Sequence, residues 1–185
     1  MSFARKSRKP QEPLSEAALY DYAVAALGRR MCTVAELKRL MRTRVEADVT
    51  GVAKMEAVVA RLKEYKFLND SAYAADYTRM RQENEKFGKR RVQQELYRKG
   101  VHPDVIGKTL DTAYENVGEE DLARRHLERK RIHQPTNDKE AARVMRQLVR
   151  AGFSPGVIFK ILKNWQIDEE ALAALDANHD GGEAE

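Results

Sequence analysis

Arginine and lysine side chains are the residues of this sequence whose types and spacing could do chemistry, and that chemistry is anion binding. Arg91 and Arg98 are seven residues apart, and a shift of 52 positions superimposes them on Arg143 and Arg150. Positions seven apart on a helix lie on nearly the same face, so each pair is expected to project from one side of a helix. There the guanidinium groups would bind phosphate or carboxylate oxygens by charge-assisted hydrogen bonds. The predicted basic face consists of Lys89, Arg90, Arg91, Gln94, Arg98, Arg124, Arg125, Arg129, Lys130, Arg131, Arg143, Arg146 and Arg150.

A helical hairpin over residues 88–114 must position the first of these pairs. Val92 and Leu96 give its first helix an apolar face, Gly100 can end that helix, and Pro103 suits the first turn of the next. The same hairpin recurs after 52 positions, with Val144, Leu148, Gly152 and Pro155 at the corresponding places. A weaker copy lacks the glycine and has a longer connection; its apolar positions are Leu37, Met41, Val58 and Leu62.

Units of this kind cannot bury their apolar faces alone and depend on their neighbours. The expected fold class is therefore all-α, an elongated tandem array of three three-helix repeats that are helix-turn-helix-like. The repeats are predicted to span 15–70, 71–117 and 118–167. A basic N-terminal arm over 1–14 and an acidic tail over 168–185 flank them, and both are expected to be largely disordered. Thr33 with Glu36, and Asn137 with Glu140, predict capped helix starts, and Trp165 is expected to cover the end of the last repeat.

The charge of the chain is divided along its length. The formal net charge is +5, yet residues 15–167 carry 30 Lys and Arg against 21 Asp and Glu, whereas residues 168–185 carry no cation and seven acids. A basic body predicts an anionic partner, and the acidic tail is either a solubilising extension or an internal competitor for the same surface. The single Cys32 and the lack of a long apolar run favour the cytoplasm and exclude a membrane span.

No catalytic constellation stands out in the sequence. The four histidines lie on different elements, and only His126 and His133 are expected to share a helix face, too far apart to chelate one metal ion. Neither a phosphate-binding loop nor a dinucleotide fingerprint is present. We therefore expect no enzyme activity, no cofactor and no metal.

Two segments of this sequence resemble a known family. GKRRVQQELYRKGV, over residues 88–101, is similar to the central signature of the RecX family, the bacterial regulators of the recombinase RecA. LKEYKFLNDSAYAADYTRMR, over 62–81, resembles the segment that precedes that signature, and the resemblance extends over about residues 19–162. One departure is Lys66, which stands where the family usually has glycine, so the turn from Tyr65 to Asn69 is expected to be built differently.

The resemblance implies a regulatory protein that binds the RecA filament on single-stranded DNA. Such a protein would inhibit ATP hydrolysis, strand exchange and filament extension, and would thereby modulate homologous recombination and the SOS response. It would do no chemistry of its own. We expect a monomer with weak, nonspecific affinity for DNA.

The alternative is a nonspecific or helix-turn-helix-type module that acts on DNA directly, since paired helices with glycine at the turn are found in such modules. The exposed positions are mainly Lys and Arg, which suit phosphates, and few Asn or Gln are available to read bases. A helical scaffold whose charge serves only solubility is the third possibility.

Overall fold

The computed structural model describes residues 12–165, and in this part of the chain every regular element is helical. A single π-helical turn over Arg81–Glu85 continues α4. The prediction of an all-α fold is therefore confirmed. The helices are α1 Glu16–Arg29, α2 Val34–Met41, α3 Val49–Glu64, α4 Asp70–Met80, α5 Lys89–Arg98, α6 Pro103–Tyr114, α7 Glu119–Arg129, α8 Asp138–Ala151 and α9 Pro155–Asn164.

The chain divides into two compact units. Unit 1 contains residues 12–73 together with 99–102, and unit 2 contains 74–98 together with 103–165. The repeat boundaries drawn from the sequence stay predictions, as do the properties of the arm over 1–14 and the tail over 168–185. The tail and nearly all of the arm lie outside the described residues.

Unit 1 is held together by the apolar faces of α1, α2 and α3. Its fully buried side chains include Leu19, Leu37, Met41 and Leu62. The start of α2 is fixed by a capping box in which Thr33 Oγ1 accepts from the backbone N–H of Glu36 at 3.0 Å, while a Glu36 carboxylate oxygen accepts from the N–H of Thr33 at 3.2 Å. The predicted cap is confirmed here, and it satisfies two N–H groups that a helix leaves unpaired.

The same threonine also binds the turn that contains Gly100. Thr33 Oγ1 donates to the carbonyl of Lys99 at 2.6 Å, and Lys99 Nζ lies 3.2 Å from a Glu36 oxygen. Gly100 has φ +79°, and a Cβ at this position would lie 2.4 Å from the Cβ of Ala35. Only glycine meets both conditions, because a side chain would be strained by the backbone and would also collide with α2.

Unit 2 repeats this arrangement between α5 and the end of α8. The N–H of Gly88, the residue before α5, donates to the carbonyl of Ala151 at 2.9 Å. Gly152 then ends α8 with φ +90°, and a Cβ there would lie 2.2 Å from the backbone nitrogen of Arg91. In both units, therefore, the residue before a helix donates a hydrogen bond to the carbonyl of the residue before a turn glycine. Thr33 donates to Lys99 in unit 1, and Gly88 donates to Ala151 in unit 2. We call the contact of Gly88, Ala151 and Gly152 with the start of α5 the glycine joint.

The core of unit 2 is formed by the apolar faces of α7, α8 and α9. Leu122 and Leu127 from α7, Leu148 from α8 and Ile161 and Leu162 from α9 are buried. Trp165 packs against this cluster while remaining partly exposed, as expected for a residue at the end of the last repeat. Burial of these apolar faces supplies most of the stability of such helices, because their intrinsic propensity alone is marginal.

The turn after α3 contains Lys66. Lys66 has φ +59°, and the N–H of Phe67 donates back to the carbonyl of Leu62 at 2.9 Å. This is the left-handed helix ending that glycine favours, here adopted by a residue with a side chain. Lys66 thus adopts a conformation in which a side chain has a steric cost. The expectation that this turn differs from that of the family stays a prediction.

Replacing Gly152 by alanine is expected to destabilise the protein strongly. The left-handed backbone costs a side chain about 1–2 kcal/mol, and the collision with Arg91 adds an overpacking cost of about 1–3 kcal/mol. Urea unfolding followed by circular dichroism measures the change. Gly107→Ala is the matched control, since Gly107 lies inside α6 with nothing within 4 Å of a new Cβ, and it should stabilise by about 0.5–1 kcal/mol. Equal effects of the two substitutions would contradict the close contact.

Replacing Lys66 by glycine is expected to stabilise the protein by about 1 kcal/mol, because glycine adopts positive φ without steric cost. Lys63→Gly, three residues earlier and within α3, should instead destabilise by about 0.5–1 kcal/mol. The midpoints of thermal unfolding of the two variants should therefore move in opposite directions. A loss of stability in Lys66→Gly would show that the lysine side chain stabilises this turn.

Candidate anion-binding site

A cavity of about 780 Å³ opens in unit 2 between α5, α8 and the segment that follows α7. Five of its lining residues are cationic, and we call it the basic cavity. Arg91 comes from α5, and Arg143 and Arg150 come from one face of α8. Lys130 and Arg131 reach it because Arg131 has φ +53°, which ends α7 and turns the chain. The structure thus brings together five of the thirteen residues of the predicted basic face.

The rest of the cavity lining is partly apolar, and its one carboxylate is already hydrogen-bonded. Its apolar lining residues are Phe87, Ile132, Pro135, Val144 and Ala151. Its one carboxylate, Glu140, accepts from the N–H and Oγ1 of Thr136 at 2.8 and 2.9 Å, and these hydrogen bonds hold the pKa of Glu140 below its usual value. Gln147 Oε1 is buried there without a hydrogen-bond partner. A buried amide oxygen without a partner favours a bound hydrogen-bond donor. The alternative is a Gln147 amide turned so that its N–H groups take the place of the oxygen.

Arg91 is held in place by a network behind the cavity. Glu95 is only 11% exposed and forms ion pairs with Arg91 Nε and Arg81 Nε, both at 2.9 Å. Tyr77 donates to Glu95 at 2.8 Å, and Arg81 donates to the Tyr77 hydroxyl. Burial raises the pKa of Tyr77, so the hydroxyl remains protonated and able to donate. Because Arg91 is paired with Glu95, it attracts an external anion less strongly than an unpaired arginine would.

Three other residues of the predicted basic face are also paired with carboxylates. Lys89 contacts Asp111 at 2.7 Å, Arg124 contacts Glu120 at 2.7 Å, and Arg129 contacts Glu85 at 3.1 Å. Pairs at the surface contribute little to stability but do reduce the attraction of the cation for other anions. The pairs of Lys89 and Arg129 depend on which elements pack together, whereas Arg124 and Glu120 form an i,i+4 pair within α7.

The remaining predicted residues have no carboxylate within ion-pair distance in the described part of the chain. Arg90 and Gln94 line a second groove of about 410 Å³, to which Arg91 and Arg150 also contribute. Arg98, Arg125 and Arg146 are exposed and line neither concavity. Arg143, Arg150, Lys130 and Arg131 are thus the unpaired cations that the fold gathers around one cavity.

His126 is a residue of this region whose role the sequence did not predict. It is buried, its Nδ1 lies 2.9 Å from the carbonyl of Glu85, and its ring centroid is 5.9 Å from that of Phe87 and 5.8 Å from that of Phe153. Burial lowers the pKa of His126, and the nearby Lys130 and Arg129 lower it further. The prediction that His126 shares a helix face with His133 is wrong, because α7 ends at Arg129. Within residues 12–165 no cluster of residues is suited to hold a metal ion.

Cys32 is also buried, and burial is the main cause that raises the pKa of its thiol. It lies at the start of α2 in unit 1, in the same region as the Thr33 cap. A thiol of this kind remains protonated near neutral pH and reacts slowly. Cys32 is therefore a small core residue of unit 1.

Comparison with known proteins now identifies the family. Residues 69–110 match the family model described as the second three-helix domain of RecX, and residues 118–162 match that of the third. The regulatory protein RecX of Myxococcus xanthus is 32% identical over 173 residues, an alignment that covers 85% of this chain and 92% of the relative. The regulatory protein RecX of Leptothrix cholodnii is 34% identical over 159 residues, with 85% and 92% covered. The chain belongs to the RecX family.

Solved structures of RecX proteins have the same fold. A crystal structure of RecX from Lactobacillus salivarius superimposes with a TM-score of 0.61 at 18% identity, covering 82% of this chain and 96% of that one. Another, of a regulatory protein RecX, gives 0.66 at 21% identity and covers 80% and 73%. The predictions of the family and of tandem three-helix repeats are therefore confirmed. No helix within residues 12–165 is long and apolar enough to span a membrane.

Both segments that match the family models contribute residues to the basic cavity. Arg91 lies in the segment that matches the second domain, and Arg131, Arg143 and Arg150 lie in the segment that matches the third. The glycine joint connects the same two segments, since it packs Gly88 and Arg91 against Ala151 and Gly152. A site lined by both segments exists only when the two are packed together.

The buried His126 should make the stability of the protein depend on pH. Its folded-state pKa is lower than the usual 6.5 of the unfolded chain, so the unfolded state binds the proton more tightly and protonation favours unfolding. The contribution is present above pH about 6.5 and is lost as the pH falls through the folded-state pKa, with about 1.4 kcal/mol for each pKa unit of difference. Unfolding in urea at a series of pH values measures it.

His126→Gln should flatten this dependence of the unfolding free energy on pH while lowering stability at neutral pH through lost packing. His133→Gln is the control, since His133 is exposed, and it should leave the slope unchanged. If the slope stayed the same in His126→Gln, another group would be responsible for the pH dependence.

Proposed function

We propose that this chain binds the RecA filament on single-stranded DNA and inhibits its recombinase activity. Membership of the RecX family carries the proposal, since that family resembles this chain along most of its described length. The expected consequences are slower ATP hydrolysis, less strand exchange and less filament extension. Through them the chain would modulate homologous recombination and the SOS response, in the cytoplasm where this partner is found.

The proposed mechanism is binding without covalent chemistry. A filament on DNA presents phosphate groups and acidic side chains, and both are recognised by arginine through charge-assisted hydrogen bonds. Arg98, Arg143 and Arg150 support such binding, because each is exposed and has no carboxylate within ion-pair distance in the described residues. Arg91, which is paired with Glu95, is assigned the role of fixing the cavity wall.

Direct action on DNA is the second candidate, and the exposed Arg143, Arg146 and Arg150 favour it as well. Three arginines on two successive turns of one helix suit the phosphate backbone of DNA. Such contacts carry no sequence information, so this candidate predicts affinity without selectivity. The two functions differ in whether RecA itself is needed for tight binding.

The triple variant Arg98→Ala, Arg143→Ala, Arg150→Ala should separate function from stability. Substitutions at exposed sites usually change the unfolding free energy by less than about 0.5 kcal/mol each, so its urea unfolding should stay near that of the wild type. Inhibition of the ATPase activity of RecA on single-stranded DNA should nevertheless weaken about tenfold or more, since charge-assisted hydrogen bonds contribute about 1.5–3 kcal/mol each before compensation.

The matched control is Arg29→Ala, Arg42→Ala, Lys63→Ala, which removes the same charge from exposed positions of unit 1 outside the predicted basic face. It should inhibit RecA nearly as well as the wild type. Equal loss in both triple variants would mean that only net charge matters. Full inhibition by the Arg98, Arg143 and Arg150 variant would remove these residues from the proposed binding surface.

A further inference from the structure

The described part of the chain ends at the rim of the basic cavity. The carbonyl of Trp165 accepts a hydrogen bond from Gln134 Nε2 at 2.8 Å, and Gln134 is itself a lining residue of the cavity. Trp165 also packs against the core formed by α7, α8 and α9. The chain that follows Trp165 therefore begins beside the cavity, at a point that the fold holds in place.

The sequence that follows has the charge opposite to that of the cavity. Residues 168–185 contain seven acids and no Lys or Arg, whereas the cavity presents Lys130, Arg131, Arg143 and Arg150 without ion-pair partners in the described residues. The single cavity carboxylate, on Glu140, already accepts two hydrogen bonds from Thr136. Opposite charges attract when they lie within about a Debye length of each other, roughly 8 Å at physiological ionic strength.

The first acids are within reach. Asp168 is three residues beyond Trp165, which corresponds to at most about 10 Å of extended chain, and Glu169 and Glu170 follow directly. An acidic group on the same chain reaches the cavity at an effective concentration in the millimolar range when the linker is short. A contact that would be weak between separate molecules therefore becomes populated within one.

The apolar part of the cavity distinguishes a peptide from a nucleic acid backbone. Phe87, Ile132, Pro135 and Val144 would gain little from a phosphodiester chain, which is polar along its whole length. The acidic segment carries leucine at positions 172 and 175, next to its first three acids. A segment that mixes carboxylates with leucine side chains matches a cavity that mixes arginines with apolar surface.

We propose that the acidic segment 168–185 of this same chain occupies the basic cavity and competes there with external anions. Its carboxylates pair with Arg131, Arg143 and Arg150, and its leucines cover the apolar lining. The chain then binds other polyanions only through the fraction of molecules whose cavity is open, so its apparent affinity is reduced by that fraction. This inference does not depend on RecA being the partner, since it concerns competition for a site within one molecule.

The experiment uses the full chain and a short oligothymidylate labelled with fluorescein as the polyanionic probe. In the neutral-tail variant, each Asp and Glu of residues 168–185 is replaced by Asn or Gln. Fluorescence anisotropy at fixed salt should show about tenfold tighter binding for this variant, which corresponds to a cavity occupied in about nine-tenths of molecules. Urea unfolding followed by circular dichroism checks that the fold of residues 12–165 is retained in this variant.

The tail is also neutralised in two double arginine variants, which test whether its effect acts through the cavity. With Arg143→Ala and Arg150→Ala, neutralising the tail should change probe binding by less than about twofold. With Arg98→Ala and Arg125→Ala, two arginines outside the cavity, the gain of about tenfold should remain. Equal gains in both backgrounds would show that the tail acts only through net charge and would overturn the proposal. No gain in the otherwise unmodified chain would overturn it as well.

Discussion

The glycine joint is the contact on which the candidate site depends. Gly152 ends α8 in a left-handed conformation and lies so close to α5 that a Cβ would collide with the backbone nitrogen of Arg91. Close approach of the two backbones places Arg91 and Arg150 on the wall shared by the basic cavity and the second groove. A larger residue would separate the two helices and widen the site, because packed interiors transmit such changes instead of absorbing them.

Much of the fold could be predicted from local sequence patterns. The shift of 52 positions that relates Gly100 to Gly152 reflects a structural unit, and both glycines have the positive φ that their place at a helix end requires. The cap at Thr33 also follows from a short motif whose geometry is set within one helical turn. Features of this kind depend on residues close in sequence, so a reading of the chain alone can find them.

The candidate site could be predicted only in part, because charge pairing depends on tertiary structure. Arg129 binds Glu85, which is 44 residues away, and Arg91 shares Glu95 with Arg81. Spacing alone points to the i,i+4 pairs Arg91–Glu95 and Arg124–Glu120, but it does not show which other residues of the basic face keep their charge available. The π-helical turn that places Glu85 beside α7 is likewise absent from any simple pattern, since such turns arise from local packing and not from a sequence motif.

We propose that the exposed arginines of this RecX-family chain recognise a RecA filament and not DNA alone. Binding of the fluorescently labelled chain to single-stranded DNA, measured with and without a preformed RecA filament while the salt concentration is raised, tests it most directly. Binding to naked DNA should fall steeply with salt through counterion release. Binding to the filament should persist at salt concentrations that abolish binding to naked DNA, because protein contacts add to the phosphate contacts. Parallel loss of both signals would contradict the claim and leave a nonspecific DNA-binding protein.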